Sequence, residues 1–202
     1  MTVKCKKLLL IFTRNAELGK VKTRLSKSVG DTTALEIYQY LVQKTQQVIN
    51  KVSCQKAVYY SEKIIIDDLW DSKTFQKHLQ KGNDLGFRML DAFKNSFESG
   101  YEKVVIIGTD LFDLTPSIIE ESFLSLDSND VVIGPAKDGG YYLLGMKMLQ
   151  SRLFEDKAWG TSTVRNDTLK DLTNKKVHLL EELNDIDVFE DIVQHPDFQH
   201  FL

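Results

Sequence analysis

Between Lys103 and the polar run Gly108-Thr109-Asp110 lie four consecutive β-branched residues, Val104 to Ile107. A run with no hydrophilic face predicts a strand buried on both sides, parallel and central in its sheet. Residues 8–12 and 130–135 carry similar apolar runs and predict two more such strands. Shorter ones are expected at 57–60 and 177–180, with a returning strand at 141–146. Between these runs the period changes to that of a helix. Ala34, Ile37, Tyr38, Leu41, Thr45, Val48 and Ile49 mark one apolar face, with Asp31 or Thr32 as N-cap after Gly30. Leu85, Met89, Ala92, Phe93 and Phe97 mark a second, capped by Asn83 or Asp84. A third, with Ile119, Ser122, Phe123 and Leu126 facing inward, follows Thr115-Pro116, an N-cap with proline at the first helical position. A further helix is expected over 164–172, and a final one after the acid-dense turn at 183–191. The stretch 61–81 is the least patterned: 64–66 suits a short edge strand, and 67–79 a weak helix or loop. Strands alternating with helices predict an α/β sandwich: a mostly parallel central sheet with an antiparallel element at 141–146 and helices on both faces.

A length of 202 residues accommodates this as one domain, 1–202. The formal net charge of −3 and the absence of a basic tail provide no electrostatic footprint for nucleic acid. Lys4, Lys6 and Lys7 before the 8–12 run imitate a signal peptide. The apolar stretch is too short for one, and Arg14, Glu17, Lys20 and Lys22 follow without a cleavage site. No stretch is long enough to span a bilayer. Cys5 and Cys54 lack metal-ligand spacing and read as buried thiols of a reduced, cytoplasmic protein. No internal repeat or low-complexity linker interrupts the chain.

The chemistry-bearing residues gather where strands end. Asp110 and Asp113 follow the central strand, where ligands sit in open α/β sheets. Their hard oxygens suit Mg²⁺ or Mn²⁺ bridging to phosphates; equally, they suit a turn that caps the next helix. The loop after the first strand holds Arg14, Lys20, Lys22 and Arg24 around Gly19. Its cations and backbone N–H groups suit phosphates, and the alternative is a solvated basic loop. Neither a P-loop nor a dinucleotide fingerprint is present. Gly86 in a first helical turn costs roughly 1 kcal/mol against alanine, which suggests close approach of another group. Arg88 points from the same helix end, or is an ordinary surface arginine. Asp138-Gly139-Gly140 demands a tight turn with positive φ, which makes a hairpin and can expose N–H groups to a ligand. The late acids also suit a helix N-terminus. His78, His178, His195 and His200 show no ligand spacing and read as surface or structural. In Tyr59-Tyr60 and Tyr141-Tyr142 one ring of each pair should pack in the core and leave the other for ligand or solvent.

Six segments, in order, resemble a bacterial family of GT-A-like glycosyltransferases formerly classed as a domain of unknown function. They are Gly19-Lys20-Val21-Lys22-Thr23-Arg24-Leu25, Asp84-Leu85-Gly86-Phe87-Arg88-Met89, Gly108-Thr109-Asp110-Leu111-Phe112-Asp113-Leu114, residues 135–145, Trp159-Gly160-Thr161-Ser162-Thr163-Val164 and residues 185–191. The resemblance implies a GT-A, nucleotide-diphospho-sugar transferase fold and Asp110 as ligand of the divalent cation. It implies Asp187, in preference to Asp185, as the second ligand. It implies a nucleotide site lined by Arg14, Gly19, Lys22, Arg24, Gly86 and Arg88, and a sugar or acceptor side at Asp138, Gly139, Gly140 and Tyr141. Three positions depart from the family's pattern: Ala16 and Phe112 stand where prolines are usual, and Val188 where a threonine is.

The expected activity is a metal-dependent transferase acting on a nucleotide-sugar and an unidentified small acceptor, with Asp110 and Asp138 as catalytic residues. A nucleotidyltransferase consuming an NTP and releasing pyrophosphate is the alternative, and a nucleotide-sensing scaffold is a third possibility. Oligomeric state is not legible.

Overall fold

The computed structural model describes residues 6–202; Cys5 lies outside them. The elements run β1 (Lys7–Thr13), α1 (Ser26–Val29), α2 (Asp31–Ile49), β2 (Gln55–Tyr60), β3 (Phe75–Leu79), α3 (Leu85–Glu98), β4 (Lys103–Ile107), α4 (Pro116–Ser125), β5 (Val131–Pro135), β6 (Tyr141–Met146), α5 (Val164–Asp171) and β7 (Val177–Leu179). They build one seven-stranded sheet in the order β3-β2-β1-β4-β6-β5-β7. β1 pairs in parallel with β2 and β4, and β7 in parallel with β5. β6 runs antiparallel to both β4 and β5, so the expected hairpin is present and its return strand is inserted into the sheet.

The alternation of side chains across each strand divides the core in two. Leu9 and Ile11 of β1 and Val105 and Ile107 of β4 join Tyr38, Val42, Ile119 and Phe123 from α2 and α4. Leu8, Leu10, Val104 and Ile106 join Met89, Ala92 and Phe93 of α3 on the other face. Both faces of β4 are therefore covered, and its β-branched run is buried as expected. The same geometry overturns the expectation for the tyrosine pair on β2, because Tyr59 and Tyr60 are both buried. Cys54 is partly buried against the α2 side of the core.

Four local expectations change. α2 begins after Gly30, which is the N-cap and has no side chain to offer, so Asp31 and Thr32 lie in the first turn. Residues 64–66 are irregular; the edge strand is β3, parallel to β2, within the stretch read as weak helix or loop. The carboxyl-terminal stretch forms short 3-10 turns at Phe189–Asp191 and Pro196–Phe201 in place of a helix. Its Ile192 and Phe198 pack with Leu25, Ile37, Leu41, Phe112 and Ile186 in a third, smaller core. Elsewhere the caps fall as expected, with Asp84 accepting from the Phe87 N–H at 2.8 Å and Thr115 capping α4 ahead of Pro116.

Candidate functional site

The carboxyl ends of β1, β2 and β4 open onto a polar cleft. Its walls come from the β1 loop (Arg14, Asn15, Lys20, Lys22, Arg24), from Gln80 just after β3, from Asp84 and Arg88 at the start of α3, and from Thr109, Asp110 and Asp187. Five cations share this surface with five carboxylates, Glu17, Glu62, Asp84, Asp110 and Asp187, a mixed lining that suits a phosphate group bound together with a metal ion.

Tyr38 of α2 fixes the floor of this cleft. Its ring is buried and its hydroxyl accepts the Arg14 N–H at 2.8 Å. The same oxygen lies 3.0 Å from the Arg14 carbonyl, 3.1 Å from Thr13 Oγ1 and 3.2 Å from Thr109 Oγ1. One hydroxyl thereby joins the loop after β1 to the loop after β4. Asn15 ties the same loop to the segment after β2: its buried Oδ1 accepts from the Glu62 N–H (2.9 Å) and Lys63 N–H (3.2 Å), while Nδ2 donates to the Lys63 carbonyl (2.8 Å). Neither residue was singled out from the sequence. Tyr38 was absorbed into a helical apolar stripe, and Asn15 sits amid residues that look like any loop.

Lys22 occupies left-handed backbone space at φ 48°, a conformation disfavoured for a side chain of this kind. Its ammonium is almost fully enclosed and lies 3.3 Å from Asp110 Oδ2. Arg24 is more exposed and meets Asp187 Oδ2 at 2.9 Å. At Gly108 the chain itself comes close: a Cβ there would lie 2.7 Å from Asp110 Oδ1. Gly108 is therefore what allows Asp110 its rotamer.

The late acids are held against Asp110 by backbone. The Ile186 N–H donates to the Asp110 carbonyl at 3.1 Å, and Leu111 forms an antiparallel bridge with Asp185. Asp191 braces this turn, accepting from the N–H groups of Asp187 and Val188 and from Asn184 Nδ2, each at 2.8 Å. Asp185, next to Asp187 in the motif, turns to the other side of Asp110. Burial, followed by the charges of Asp110 and Asp138, pushes its carboxyl up to about 6.

On that side lies a second pocket sharing Phe12, Leu85, Gly108 and Asp110 with the first. It is bounded by Met89, Tyr141, Trp159 and Val164, with Asp110, Asp138 and Asp185 on its rim. Asp138 Oδ1 accepts the Gly140 N–H at 2.7 Å, closing the turn. Gly139 has φ 91°, and a Cβ there would lie 2.3 Å from the Ser162 carbonyl oxygen, so the turn packs directly on the segment before α5.

The remaining sequence candidates distribute unevenly. Arg88 is partly buried and donates through Nε to the Gly82 carbonyl at 3.1 Å. Gly19 (φ 73°) lies beside Asp31, outside the lining of both pockets. Gly86 also lines neither pocket. The close approach there comes from the protein itself, since a Cβ on Gly86 would lie 2.5 Å from the Phe154 carbonyl and 2.6 Å from Trp159 Nε1. Burial raises the Tyr141 hydroxyl far above its ordinary range. Asp113 lies away from both pockets, in a separate surface depression with Thr115.

A family model described as "Uncharacterized protein conserved in bacteria (DUF2064)" matches residues 43–161, more than half of the chain. The chain belongs to this family. The matched segment of the DUF2064 chain includes Arg88, Asp110 and Asp138; the β1 loop and the late acids flank it. A crystal structure from Desulfovibrio desulfuricans G20, provisionally named a nucleotide-diphospho-sugar transferase, is 29% identical with a TM-score of 0.86, covering 96% of this chain and 88% of that one. Two more distant structures share the fold. One is a 4-diphosphocytidyl-2C-methyl-D-erythritol synthase from Anaerococcus prevotii DSM 20548 (13% identity, TM-score 0.59, covering 93% and 94%). The other is an inositol-1-phosphate CTP transferase from T. maritima (14% identity, TM-score 0.56, covering 96% and 94%). No curated protein matches the sequence. The DUF2064 chain thus has the GT-A-like architecture expected from its sequence, and no helix among the described residues is long and apolar enough to cross a membrane.

Proposed function

We propose that this chain is a metal-dependent transferase that uses a nucleotide-sugar donor. The observation that carries the proposal is the convergence of Lys22, Arg24 and Arg88 with Asp110 and Asp187 in one cleft at the carboxyl ends of parallel strands. The name of the Desulfovibrio relative supports the donor class.

The residues suit a divalent cation. Among the described residues Asp110 and Asp187 each engage one cation through Oδ2 and leave the other carboxylate oxygen to offer a metal. Among the described residues no three His, Cys, Asp or Glu side chains converge to hold a metal alone. Mg²⁺ in phosphate sites characteristically takes one or two carboxylates and completes its shell with phosphate and water, so two acids are adequate. When bound, Mg²⁺ or Mn²⁺ supplies Lewis acidity and charge neutralisation at the diphosphate. Lys22, enclosed and fixed by its backbone, places positive charge where the leaving nucleotide gains negative charge. Arg24, exposed at the rim, can exchange Asp187 for a phosphate oxygen. In an inverting transfer Asp138 takes the proton from the acceptor's nucleophilic atom. That atom bonds the anomeric carbon as the bond to phosphate oxygen breaks, and the nucleoside diphosphate leaves with the electron pair.

The distant neighbours named as cytidylyl-type enzymes favour one alternative, nucleotidyl transfer from an NTP with release of pyrophosphate. Titrating UDP-, GDP- and dTDP-sugars and the four NTPs with and without Mn²⁺, while following released NDP or pyrophosphate, separates the two. Unchanged nucleotide affinity in Asp110→Ala would remove the metal assignment.

A further inference from the structure

We propose that the second pocket binds an acceptor with an apolar body and a cationic head, and not a polyhydroxylated one. The proposal rests on the transferase reading only in calling the occupant an acceptor; the chemistry of the walls stands independently.

The body of the pocket offers apolar surface from Phe12, Leu85, Met89, Trp159 and Val164. Side-chain donors for a sugar's hydroxyls are scarce in this lining. The Tyr142 hydroxyl donates to the Glu181 carbonyl at 2.9 Å, and Thr161 Oγ1 donates to the Ala158 carbonyl at 2.8 Å. The Tyr141 hydroxyl has no partner among the described residues but is buried out of a ligand's reach. Trp159 Nε1 packs against Gly86. A ligand with a hydroxyl on every carbon would leave most of them desolvated and unpaired, at a cost that apolar walls cannot offset.

The polar groups at the rim share one sign. Asp110, Asp138 and Asp185 line it, and the neighbouring cations are engaged, Lys22 by Asp110 and Arg165 by Glu182. With the cation of the phosphate cleft taking up Asp110, Asp138 and Asp185 still face the pocket. Their charge complements an ammonium group and repels a carboxylate or phosphate. An aromatic wall beside a carboxylate pair also favours a cation through the ring's electron-rich face.

A matched probe series tests this by ligand-observed saturation-transfer NMR on the intact chain with Mn²⁺ replaced by diamagnetic Mg²⁺. The probes are cyclohexylmethylamine as its ammonium ion, cyclohexylmethanol, cyclohexanecarboxylate and glucosamine. The ammonium probe should bind about tenfold more tightly than the alcohol, equivalent to about 1.4 kcal/mol, with the carboxylate and glucosamine weaker than both. Asp138→Asn, which keeps an oxygen for the Gly140 N–H, should reduce the preference for the ammonium probe over the alcohol to about threefold. Glucosamine binding as well as the ammonium probe, or no preference between ammonium and carboxylate, overturns the proposal. Nucleotide affinity measured in parallel keeps the two claims apart. Nucleotide binding without probe binding sinks the pocket proposal alone; probe binding without any nucleotide or nucleotide-sugar binding sinks the transferase reading and leaves the pocket chemistry intact.

Discussion

Tyr38→Phe is the sharpest test of how the polar cleft is held together. The substitution keeps a buried ring and removes one oxygen that lies within 3.2 Å of the Arg14 N–H, the Arg14 carbonyl, Thr13 Oγ1 and Thr109 Oγ1. A hydroxyl carries one proton and two lone pairs, so it satisfies at most three of these neighbours together. Removing it does not strand them all. Thr109 Oγ1 already lies 3.5 Å from Thr13 Oγ1 and can turn towards it, and Arg14 is exposed enough to find water. The loss should therefore fall in the lower part of the range for a buried unsatisfied group, about 1–2 kcal/mol. For a chain of this size that lowers Tm by about 2–8 °C. The denaturant m-value should not change, because the ring still fills its site and the core is intact. Amide exchange at Arg14 and Thr109 should accelerate, while amides of β1 and α2 away from the hydroxyl exchange as before. If Arg14 exchange matches the wild type and Tm falls by less than about 1 °C, the hydroxyl is not a junction and the loops are held by other contacts.

Other outcomes follow from the same contacts. Gly86→Ala should destabilise by about 1–2 kcal/mol, since overpacking against the Phe154 carbonyl and Trp159 exceeds the gain in helix propensity; a rise in Tm on thermal denaturation would refute the close-packing account. Asp185→Asn should stabilise the metal-free chain at pH 8 by about 1–2 kcal/mol, allowing for solvent screening of a partly exposed group. The sign follows because the folded carboxyl is pushed up to about 6 from an ordinary 3.8, so stability from this group is lost as pH rises between those values. The variant's advantage should shrink towards pH 4, and an advantage that grows with acidity would contradict the assignment. Asp191→Ala removes the acceptor of three hydrogen bonds in the late turn and should cost about 2–3 kcal/mol. Calorimetric titration should show the Mg²⁺-dependent part of nucleotide affinity falling more than the metal-independent part; equal losses would indicate a purely structural brace.

Fold class was legible because β4 and the apolar periodicity of α2 and α3 have simple physical causes. Four β-branched residues need cover on both faces, and the structure provides it. β3 was illegible for an equally simple reason. Phe75-Gln-Lys-His-Leu79 sits at the sheet edge with one buried residue, Phe75, so neither alternation nor an apolar run announces it. The turn at 185–191 is braced as a helix start would be, with Asp191 accepting the N–H groups of Asp187 and Val188. The chain goes on only as short 3-10 turns, however, the second opened by Pro196, which cannot continue a helix. Gly86 was flagged for the right physical reason, close approach, while the approaching group proved to be Trp159 and the Phe154 carbonyl.

The division of labour around Asp110 could not be read from spacing. Residues two apart in an extended segment share a face, so Asp185 and Asp187 reach different pockets only because the turn braced by Asp191 rotates one against the other. Asp187 consequently lines the cationic cleft with Arg24, while Asp185 faces Asp138 in the apolar pocket. Asp110 stands where the two meet, clamped by the Ile186 N–H and opposed by Lys22. A motif search sees three acids in a short list of positions; the fold sorts them between the polar cleft and the apolar pocket. This geometry makes Asp110→Asn more informative than Asp110→Ala, because it removes charge while preserving the shape of the shared wall. It should weaken Mg²⁺-dependent nucleotide affinity and also lower the ammonium preference of the neighbouring pocket. A variant in which only one of the two effects appears would show that the compartments do not share this carboxylate.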